Sequence, residues 1–285
     1  MPNDDEAARA AAAPEDSGQV LIHRRLHHEL SVILSWGNFA PMAGAWLRHT
    51  RLWLDEPDGL TTTLMRQGLA GTALHLAHRP NDEMVGLTFH FEQPPLNVFI
   101  TGDARKGTVS GRTFDAGVKQ GGSAVLFVQT YRASLPEPTT SGVPVEGLDL
   151  LGILEQYYAR SEQYPARFLE LGDHADLSAG AGAPLVYGVA VGLPGVDPQW
   201  LAGLTVESFL EYRDEARTIE SRSFRFECGC NPARMLAALR SMFGSNPDEL
   251  FLGEDRVQTS CPRCGRNWWF GRDQFESGAP ADAPD

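Results

Sequence analysis

Four cysteines, arranged in two closely spaced pairs, are the residues of this chain best suited to chemistry. The pairs are Cys228-Gly-Cys230 and Cys261-Pro-Arg-Cys264, and 30 residues lie between them. Two such pairs can supply the four thiolates that a tetrahedral zinc ion binds at about 2.3 Å. Gly265 follows the second pair and can adopt the positive φ that such a turn often needs. The spacing therefore predicts a zinc site formed by all four cysteines.

Three interpretations of these sulfurs remain open from the spacing. A purely structural zinc site is the commonest role of four thiolates, and a redox-active zinc site is the second interpretation. Two separate disulfides are the third, and a reducing cytoplasm disfavours them. A hydrolytic zinc site is disfavoured, because a catalytic zinc ion keeps an open coordination position and four thiolates close it.

The residues between and around the cysteine pairs predict a compact scaffold for the site. Asn231 and Pro232 are typical of the start of a helix, and Gly244 is typical of its end. Arg256–Ser260 and Arg266–Phe270 flank the second pair and predict a β-hairpin. These elements predict a small zinc-binding domain over residues 227–275.

The rest of the chain predicts a larger domain of the α+β class. The apolar spacing indicates partly helical structure over Val20–Trp53 and a helix over Thr61–Ala77. Alternating apolar residues then predict a β meander, and an amphipathic helix and a last strand follow it. The segments are Met84–Phe91, Asn97–Thr101, Thr108–Phe114, Ser123–Tyr131, the helix Leu148–Gln163 and the strand Leu185–Leu193.

We place this larger domain at residues 20–195 and predict a partly helical linker over 196–226. Residues 1–19 and 276–285 are rich in Ala, Pro and acidic residues, and we expect both to be disordered tails. The first 18 residues lack the basic start and apolar block of a secretory signal. We therefore expect a soluble, cytoplasmic protein.

The charge of the chain argues against two classes of partner. The 285 residues carry a formal net charge of −13, whereas binders of duplex DNA or of anionic membranes need a basic surface. No uncharged stretch is apolar enough to span a membrane. We expect neither a nucleic acid nor a membrane as a partner.

Five histidines and Glu162 are polar residues for which the sequence favours a structural role. The histidines fall in stretches with helical spacing, and the sequence has no His-Glu-x-x-His motif, so we expect them on solvated helix faces. We expect Glu162 to have a structural hydrogen-bonding role. The histidines concerned are His23, His27, His28, His75 and His78.

The two cysteine pairs and two segments of the larger domain together resemble the 33-kDa heat-shock protein family of redox-regulated chaperones. The Cys-x-Cys half of the motif is the most specific feature, because the common zinc ribbon has two Cys-x-x-Cys pairs. Tyr157–Tyr158 followed by Ser161–Glu162–Gln163 is similar to a helix of that family. Leu185–Val191 followed by Leu193–Pro194–Gly195 is similar to one of its strands.

The resemblance implies a redox switch and no enzymatic activity. In the reduced protein the four cysteines hold Zn²⁺, and an oxidant converts Cys228–Cys230 and Cys261–Cys264 into disulfides, which releases the metal. The small domain and the linker then unfold, and apolar surface holds unfolded client proteins without ATP. The resemblance also implies a homodimer of the oxidised form. The candidate client-binding residues are Trp200, Leu201, Leu204, Val206, Phe209 and Leu210, and an ordinary packed amphipathic helix is the alternative for them.

A zinc-ribbon module that binds nucleic acid, with purely structural zinc, is the alternative function. Trp268 and Trp269 could stack on bases. However, the segment from Arg222 to Glu276 contains eight arginines and seven acidic residues, so it carries no basic stripe. The local charge therefore favours the chaperone.

Overall fold

The computed structural model describes residues 18–115, 123–135, 137–172 and 184–277. These residues divide into two compact units. The larger unit contains the residues up to 48 together with 57–227, and the smaller unit contains 49–56 together with the residues from 228 onward. Both expected tails lie almost wholly outside the described residues.

A single large sheet organises the larger unit. Ten strands of the described part of the chain pair in the order β7-β6-β3-β4-β5-β10-β1-β2-β9-β8. All neighbours are antiparallel except β5 and β10, which run parallel. The strands are β1 Gln19–His27, β2 Val32–Asn38, β3 Glu83–Phe91, β4 Leu96–Asp103, β5 Thr108–Phe114, β6 Val125–Arg132, β7 Thr139–Pro144, β8 Ala166–Gly172, β9 Val186–Gly192 and β10 Arg217–Phe226.

Helices lie between these strands, and the smaller unit adds three short helices and a hairpin. The helices are α1 Ala40–Trp53, α2 Gly59–Ala77, α3 Leu150–Tyr157, α4 Pro198–Ala202, α5 Val206–Glu215, α6 Pro232–Phe243, α7 Pro247–Phe251 and α8 Arg272–Ser277. A π-helical turn, Tyr158–Glu162, extends α3, and the strands β11 Arg256–Ser260 and β12 Asn267–Gly271 form the hairpin. The predicted α+β class is confirmed. None of the helices that the structure describes is both long enough and apolar enough to cross a membrane.

The main core of the larger unit lies between the sheet and α2 with α3. Helix α2 packs closely against its neighbours because the residues that face them include two glycines, Gly68 and Gly71. A Cβ atom at Gly68 would lie 2.2 Å from Ile100 Cδ1, and one at Gly71 would lie 2.4 Å from Leu154 Cδ1. These approaches leave no room for a larger side chain, so α2 is fixed at van der Waals distance from both β4 and α3.

A second apolar cluster covers a different part of the same sheet. Helices α4 and α5 pack on strands β2, β8 and β9 and bury side chains from all of them. Thr205 begins α5 with a reciprocal capping box to Ser208. The buried members of this cluster, which we call the linker-helix cluster, are Val32, Leu34, Trp36, Leu169, Leu171, Val186, Ala190, Leu201, Leu204, Phe209 and Ala216.

The expectation of helical structure near residue 20 is wrong for the first half of that segment. Residues 19–38 form the β1–β2 hairpin, and a helix begins only at Ala40. Val20 and Ile22 are buried, whereas Leu21 between them is 47% exposed, which is the alternation of a strand. The pairing of β1 with β10, about 200 residues later in the chain, stabilises the strand against its local helical spacing.

The segment predicted as a linker, residues 196–226, contains two helices and a strand. Helices α4 and α5 occupy its first part. Strand β10 occupies the last part and lies inside the sheet between β5 and β1. The sequence does not predict that β10 lies inside the sheet, because its residues are mostly polar. Most of its side chains are exposed even though its backbone is paired.

A buried ionic network explains the expected structural role of Glu162. Its carboxylate accepts hydrogen bonds from Arg79 at 2.6 Å and from the Tyr157 hydroxyl at 2.5 Å. Arg79 also donates to Glu83, which is fully buried and accepts a second bond from Arg132. Burial would raise the pKa of Glu162, but the bond from Tyr157 and the charge of Arg79 lower it overall. The network therefore stabilises the charged form of Glu162.

The expectation that His75 and His78 lie on a solvated helix face is wrong. The side chain of His75 is 1% exposed, and its Nδ1 atom lies 2.9 Å from the Tyr158 hydroxyl. Burial lowers the pKa of His75 to about 4 and places the pKa of His78 well below its usual value. Both imidazoles are therefore neutral at physiological pH.

Acid should destabilise the larger unit through these histidines. The unfolded chain binds a proton near pH 6.5, whereas folded His75 binds one only near pH 4. The free energy of unfolding should therefore fall by about 1.4 kcal/mol per pH unit for His75 alone across this window, and by nothing above it. Urea unfolding followed by circular dichroism at several pH values measures the slope. In His75→Gln the dependence of the free energy of unfolding on pH should weaken by the equivalent of about one bound proton. The control is His28→Gln, at an exposed position, which should keep the slope of the unsubstituted protein. Equal slopes in all three proteins would contradict the prediction.

Candidate metal centre

The four cysteines come from two places in the smaller unit. Cys228 and Cys230 lie in the extended segment before α6, which begins at Pro232. Cys261 and Cys264 lie in the turn between β11 and β12, which pair from Ser260 and Asn267 outward. The predicted helix start is confirmed, because the side chain of Asn231 accepts a bond from Arg234 N at 2.8 Å. The predicted hairpin is confirmed as well.

The structure brings all four sulfurs together. Their Sγ atoms all lie within 4.8 Å of one another. The distances from Cys228 to Cys261 and from Cys230 to Cys264 are 3.8 Å and 3.5 Å. A tetrahedron with metal–sulfur bonds of about 2.3 Å places its sulfurs about 3.8 Å apart. The cluster therefore fits a tetrahedral metal ion, and the four cysteines are positioned to bind one.

The turn that carries Cys261 and Cys264 has the geometry of a metal-binding knuckle. Gly265 N donates to Cys261 O at 2.9 Å, and Arg263 N donates to the Cys261 sulfur at 3.4 Å. Gly265 adopts a φ of +79°, as its position after the second pair predicts. A Cβ atom at this glycine would also lie 2.7 Å from Leu54 Cδ2. Both constraints favour glycine at this position.

The thiols influence one another strongly. The hydrogen bond with Cys230 lowers the pKa of Cys228 to about 7. The hydrogen bond with Cys228 lowers the pKa of Cys261 far below its usual range and raises that of Cys264. Protons are therefore shared unevenly among four sulfurs, and a bound cation would favour the thiolate form of each of them.

A small apolar core supports the cluster. Its buried members come from α6, α7, β12 and α8, and the Arg240 side chain donates to the backbone carbonyl of Phe275 at 2.8 Å. The core is limited, however, to five fully packed side chains among the described residues of this unit. They are Leu236, Leu239, Phe251, Phe270 and Phe275.

Residues 49–56 belong to the smaller unit, which the sequence did not predict. His49 Nε2 donates to the backbone carbonyl of Cys264 at 2.9 Å. Arg266 stacks on the ring of Trp53 at 5.4 Å, and Asn267 donates to the Trp53 carbonyl at 3.3 Å. Burial lowers the pKa of His49, so its imidazole is neutral and keeps the donor hydrogen. These contacts surround the Cys261–Cys264 turn with a segment that lies some 210 residues earlier in the chain.

Removal of the His49 side chain should weaken metal retention without abolishing it. In His49→Ala the Cys264 carbonyl loses a buried donor, which costs about 1–3 kcal/mol. We expect a zinc-loaded protein to lose the metal to a chromogenic chelator roughly ten-fold faster than the unsubstituted chain, since partners outside the ligand set typically change metal affinity by about 10–100-fold. His28→Ala, at an exposed position, is the matched control. Identical release from the two variants would argue against a role for His49.

The structure does not bring the remaining histidines to this site. His23 and His27 lie on β1, where His23 stacks on Trp36 at 5.4 Å and His27 is 8% exposed and lies 3.4 Å from the Glu215 carboxylate. The expectation of a solvated helix face is thus wrong for both. Across the described ranges, the four cysteines are the one group of His, Cys, Asp or Glu side chains that meets the geometry of a metal site.

Comparison with known proteins identifies relatives of both units. Residues 190–271 match the model of the Hsp33 protein family. The 33 kDa chaperonin of Enterobacter sp. (strain 638) is 28% identical over 144 residues, which cover 45% of this chain and 49% of that protein. The 33 kDa chaperonin of Edwardsiella ictaluri is 28% identical over 159 residues, which cover 49% and 54% of the two chains. The matched segment thus spans about half the length of these curated relatives.

A solved structure shows the same fold. The crystal structure of the 33 kDa chaperonin (heat shock protein 33 homolog) from Thermotoga maritima superposes with a TM-score of 0.65 and 16% sequence identity. The match covers 90% of this chain and 96% of that one. The family model, the curated relatives and this fold agree with the resemblance carried by the cysteine spacing: residues 190–271 are similar to the Hsp33 family, and the chain has the fold of the Thermotoga maritima protein.

Proposed function

We propose that this protein is a redox-regulated chaperone that holds unfolded proteins without ATP and has no enzymatic activity. The observation that carries the proposal is the cluster of four sulfurs within 4.8 Å, in a chain whose residues 190–271 match the model of this chaperone family. In the reduced state Cys228, Cys230, Cys261 and Cys264 would hold Zn²⁺, which supplies folding free energy to the smaller unit. We propose the cytoplasm as the site of action, because a reducing compartment keeps the thiols available.

Oxidation converts the four thiolates into two disulfides. Each disulfide forms when two thiolates give two electrons to one molecule of hydrogen peroxide. The O–O bond of the peroxide breaks, and with two protons from solvent it leaves as two molecules of water. We propose the pairs Cys228–Cys230 and Cys261–Cys264, which the family resemblance implies. All four sulfurs lie within 4.8 Å of one another, so these two pairs are within reach. Disulfide sulfurs are poor metal ligands, so the oxidised site loses its metal.

Loss of the metal should unfold the smaller unit and release the linker helices. A structural zinc site contributes about 10–16 kcal/mol of apparent binding free energy, which a core of five side chains cannot replace. We propose the boundaries 20–195, 196–226 and 227–275 for the chaperone domain, the linker and the metal-binding domain. Detachment of α4 and α5 would expose the linker-helix cluster, including the sheet residues Leu34 and Trp36. Large exposed apolar surfaces bind partners, and here these would be unfolded clients.

A light-scattering assay tests this function. A heat-denatured client is incubated with the reduced protein, the zinc-stripped reduced protein and the peroxide-treated protein. We expect strong suppression of aggregation by the oxidised form, weaker suppression by the stripped form and little by the reduced form. Equal suppression by all three would indicate a constitutive chaperone with structural zinc, and no suppression would favour the zinc-ribbon module that binds nucleic acid.

The exposed surface also leads us to propose a homodimer of the oxidised protein. Sedimentation velocity at micromolar concentration before and after oxidation measures the change. An unchanged sedimentation coefficient after complete oxidation would exclude dimerisation from the switch.

A further inference from the structure

Strand β10 is the connection between two halves of the large sheet. On one side lie β7, β6, β3, β4 and β5, and on the other lie β1, β2, β9 and β8. Among the described strands, no other hydrogen-bonded pairing joins the two halves. Withdrawal of β10 would therefore leave a gap one strand wide, bordered by the newly unpaired edges of β1 and β5.

The two borders of this gap hold β10 unequally. Strand β1 pairs with it at eight positions, from Gln19 opposite Arg225 to Leu26 opposite Arg217. Strand β5 pairs with it in register only at Arg225 and Phe226, and Glu227 N adds a bond to Val109 O at 3.0 Å. The weaker border lies at the end of β10 next to Cys228. Unfolding that begins at the cysteines therefore reaches the least-paired part of the strand first.

The side chains of β10 attach it at a small number of positions, and the backbone ladder runs along the whole strand. Six of its ten residues are exposed, and Phe224 is the one that is buried, opposite Val20. The Arg222 guanidinium donates to three backbone carbonyls at the end of α2, those of Leu76, Ala77 and Arg79, at 2.8–3.0 Å. Glu220 forms an ion pair with Arg24, Gln19 Nε2 donates to Ser223 Oγ at 3.3 Å, and the half-buried Phe226 packs against the main core. The rest of the attachment is the backbone ladder. A backbone ladder with one fully buried aromatic side chain can accept many different sequences, because main-chain groups are common to all of them.

We propose that the gap left by β10 is a client-binding site, in which an extended segment of an unfolded protein adds as a strand between β1 and β5. An apolar client side chain would take the place of Phe224 against Val20. This inference rests on the proposed chaperone function and specifies how a client is held. Unpaired strand edges are a hazard for most proteins because they bind other chains. In this protein the same property would bind unfolded polypeptide irrespective of its sequence.

Hydrogen–deuterium exchange of the full chain tests the proposal. The probe is reduced, carboxymethylated α-lactalbumin, a permanently unfolded protein. We expect the amides of residues 217–226 to exchange at least ten-fold faster after peroxide treatment, together with those of residues 19–26. The client should restore the protection of residues 19–26 but not that of 217–226. Protection of 217–226 in the oxidised, client-bound protein would overturn the proposal.

Competition by a free peptide tests the same proposal independently and does not require a variant protein that folds. A peptide of the sequence 217–226 should compete with the client for the oxidised protein, and the same peptide with Phe224→Ala should compete at least ten-fold less well. Equal competition by the two would overturn the anchor role of Phe224. Within the full chain, Phe224→Ala should accelerate exchange of 217–226 in the reduced protein, whereas Ile219→Ala, at an exposed position of the same strand, should not.

The outcomes separate this inference from the proposed function. An oxidised protein that holds no client contradicts the chaperone function itself. An oxidised protein that holds the client while 217–226 stays protected contradicts only the strand site. Protection of 19–26 that returns without client, in step with dimer formation, would assign the gap to a second copy of this chain and would also overturn the proposal.

Discussion

Simultaneous replacement of Cys228 and Cys261 by serine should abolish metal binding and unfold the smaller unit, while the larger unit stays folded. The two serines leave only two of four thiolates, one from each pair. The zinc contribution of about 10–16 kcal/mol is then lost, and mesophilic domains as a whole are stable by only about 5–15 kcal/mol. The five-residue core Leu236, Leu239, Phe251, Phe270 and Phe275 cannot compensate for that loss.

Metal analysis and hydrogen exchange measure the two halves of this expectation. The reduced protein should carry one zinc ion per chain, and the double variant should retain less than about a tenth of it. Amides of residues 228–277 should lose protection, whereas those of the sheet should keep it. Gln258→Ala, at an exposed position of β11, is the control and should retain the metal. A full zinc complement in the double variant would refute the assignment of the four cysteines.

The metal centre could be predicted from the sequence because its ligands are encoded locally. Each cysteine pair lies within a single turn, and Asn231, Pro232 and Gly265 specify the flanking conformations through their own backbone preferences. By contrast, the contact of His49 with the Cys264 carbonyl joins residues 215 positions apart. No local pattern indicates such a contact, so sequence reasoning missed the part that residues 49–56 play in this unit.

The sequence predicts an element correctly where one face of that element is buried. It does not predict a strand whose formation depends on pairing with residues far away in the chain. The alternation over Met84–Phe91 agrees with strand β3, whose side chains are alternately buried and half-buried. Residues 19–27 have helical apolar spacing but form a strand, because β2 and β10 supply backbone partners on both sides. Strand β10 itself is mostly exposed, so its position inside the sheet leaves no apolar signal in the sequence.

The histidines show a related limit. His75 lies among mostly apolar residues in the second half of α2, and its sequence neighbours do not reveal that Tyr158, 83 residues away, provides its hydrogen-bond partner. A histidine on an apolar face is as compatible with a buried network as with solvent. The sequence also does not predict the buried ionic network nearby, since charged residues are usually exposed. Its members include Arg79, Glu83 and Glu162.

Phe209→Ala should activate the chaperone without oxidation. The Phe209 ring is fully buried in the linker-helix cluster, where it meets the Trp36 ring edge-on at 6.5 Å. Truncation of a buried phenylalanine costs about 3–5 kcal/mol. Helix α5 is only ten residues long and would be marginally stable in water by itself. The truncation should therefore reduce the free energy that holds α5 against the sheet. A loss of about 3 kcal/mol shifts the equilibrium between attached and detached helix by roughly a hundred-fold.

Two measurements on the reduced Phe209→Ala protein separate release of the linker helices from failure of the metal site. Zinc content should remain at one ion per chain, because none of the four cysteines changes. Suppression of client aggregation should rise towards that of the oxidised unsubstituted protein, with faster amide exchange over residues 198–215. Glu211→Ala, on the exposed side of the same helix, should behave like the unsubstituted protein, and Phe209→Leu, which keeps much of the apolar volume, should lie between them. If Phe209→Ala detaches α5 in the exchange experiment and still leaves the client to aggregate, the surface beneath the linker helices does not bind clients, and the holding activity must reside elsewhere on the sheet.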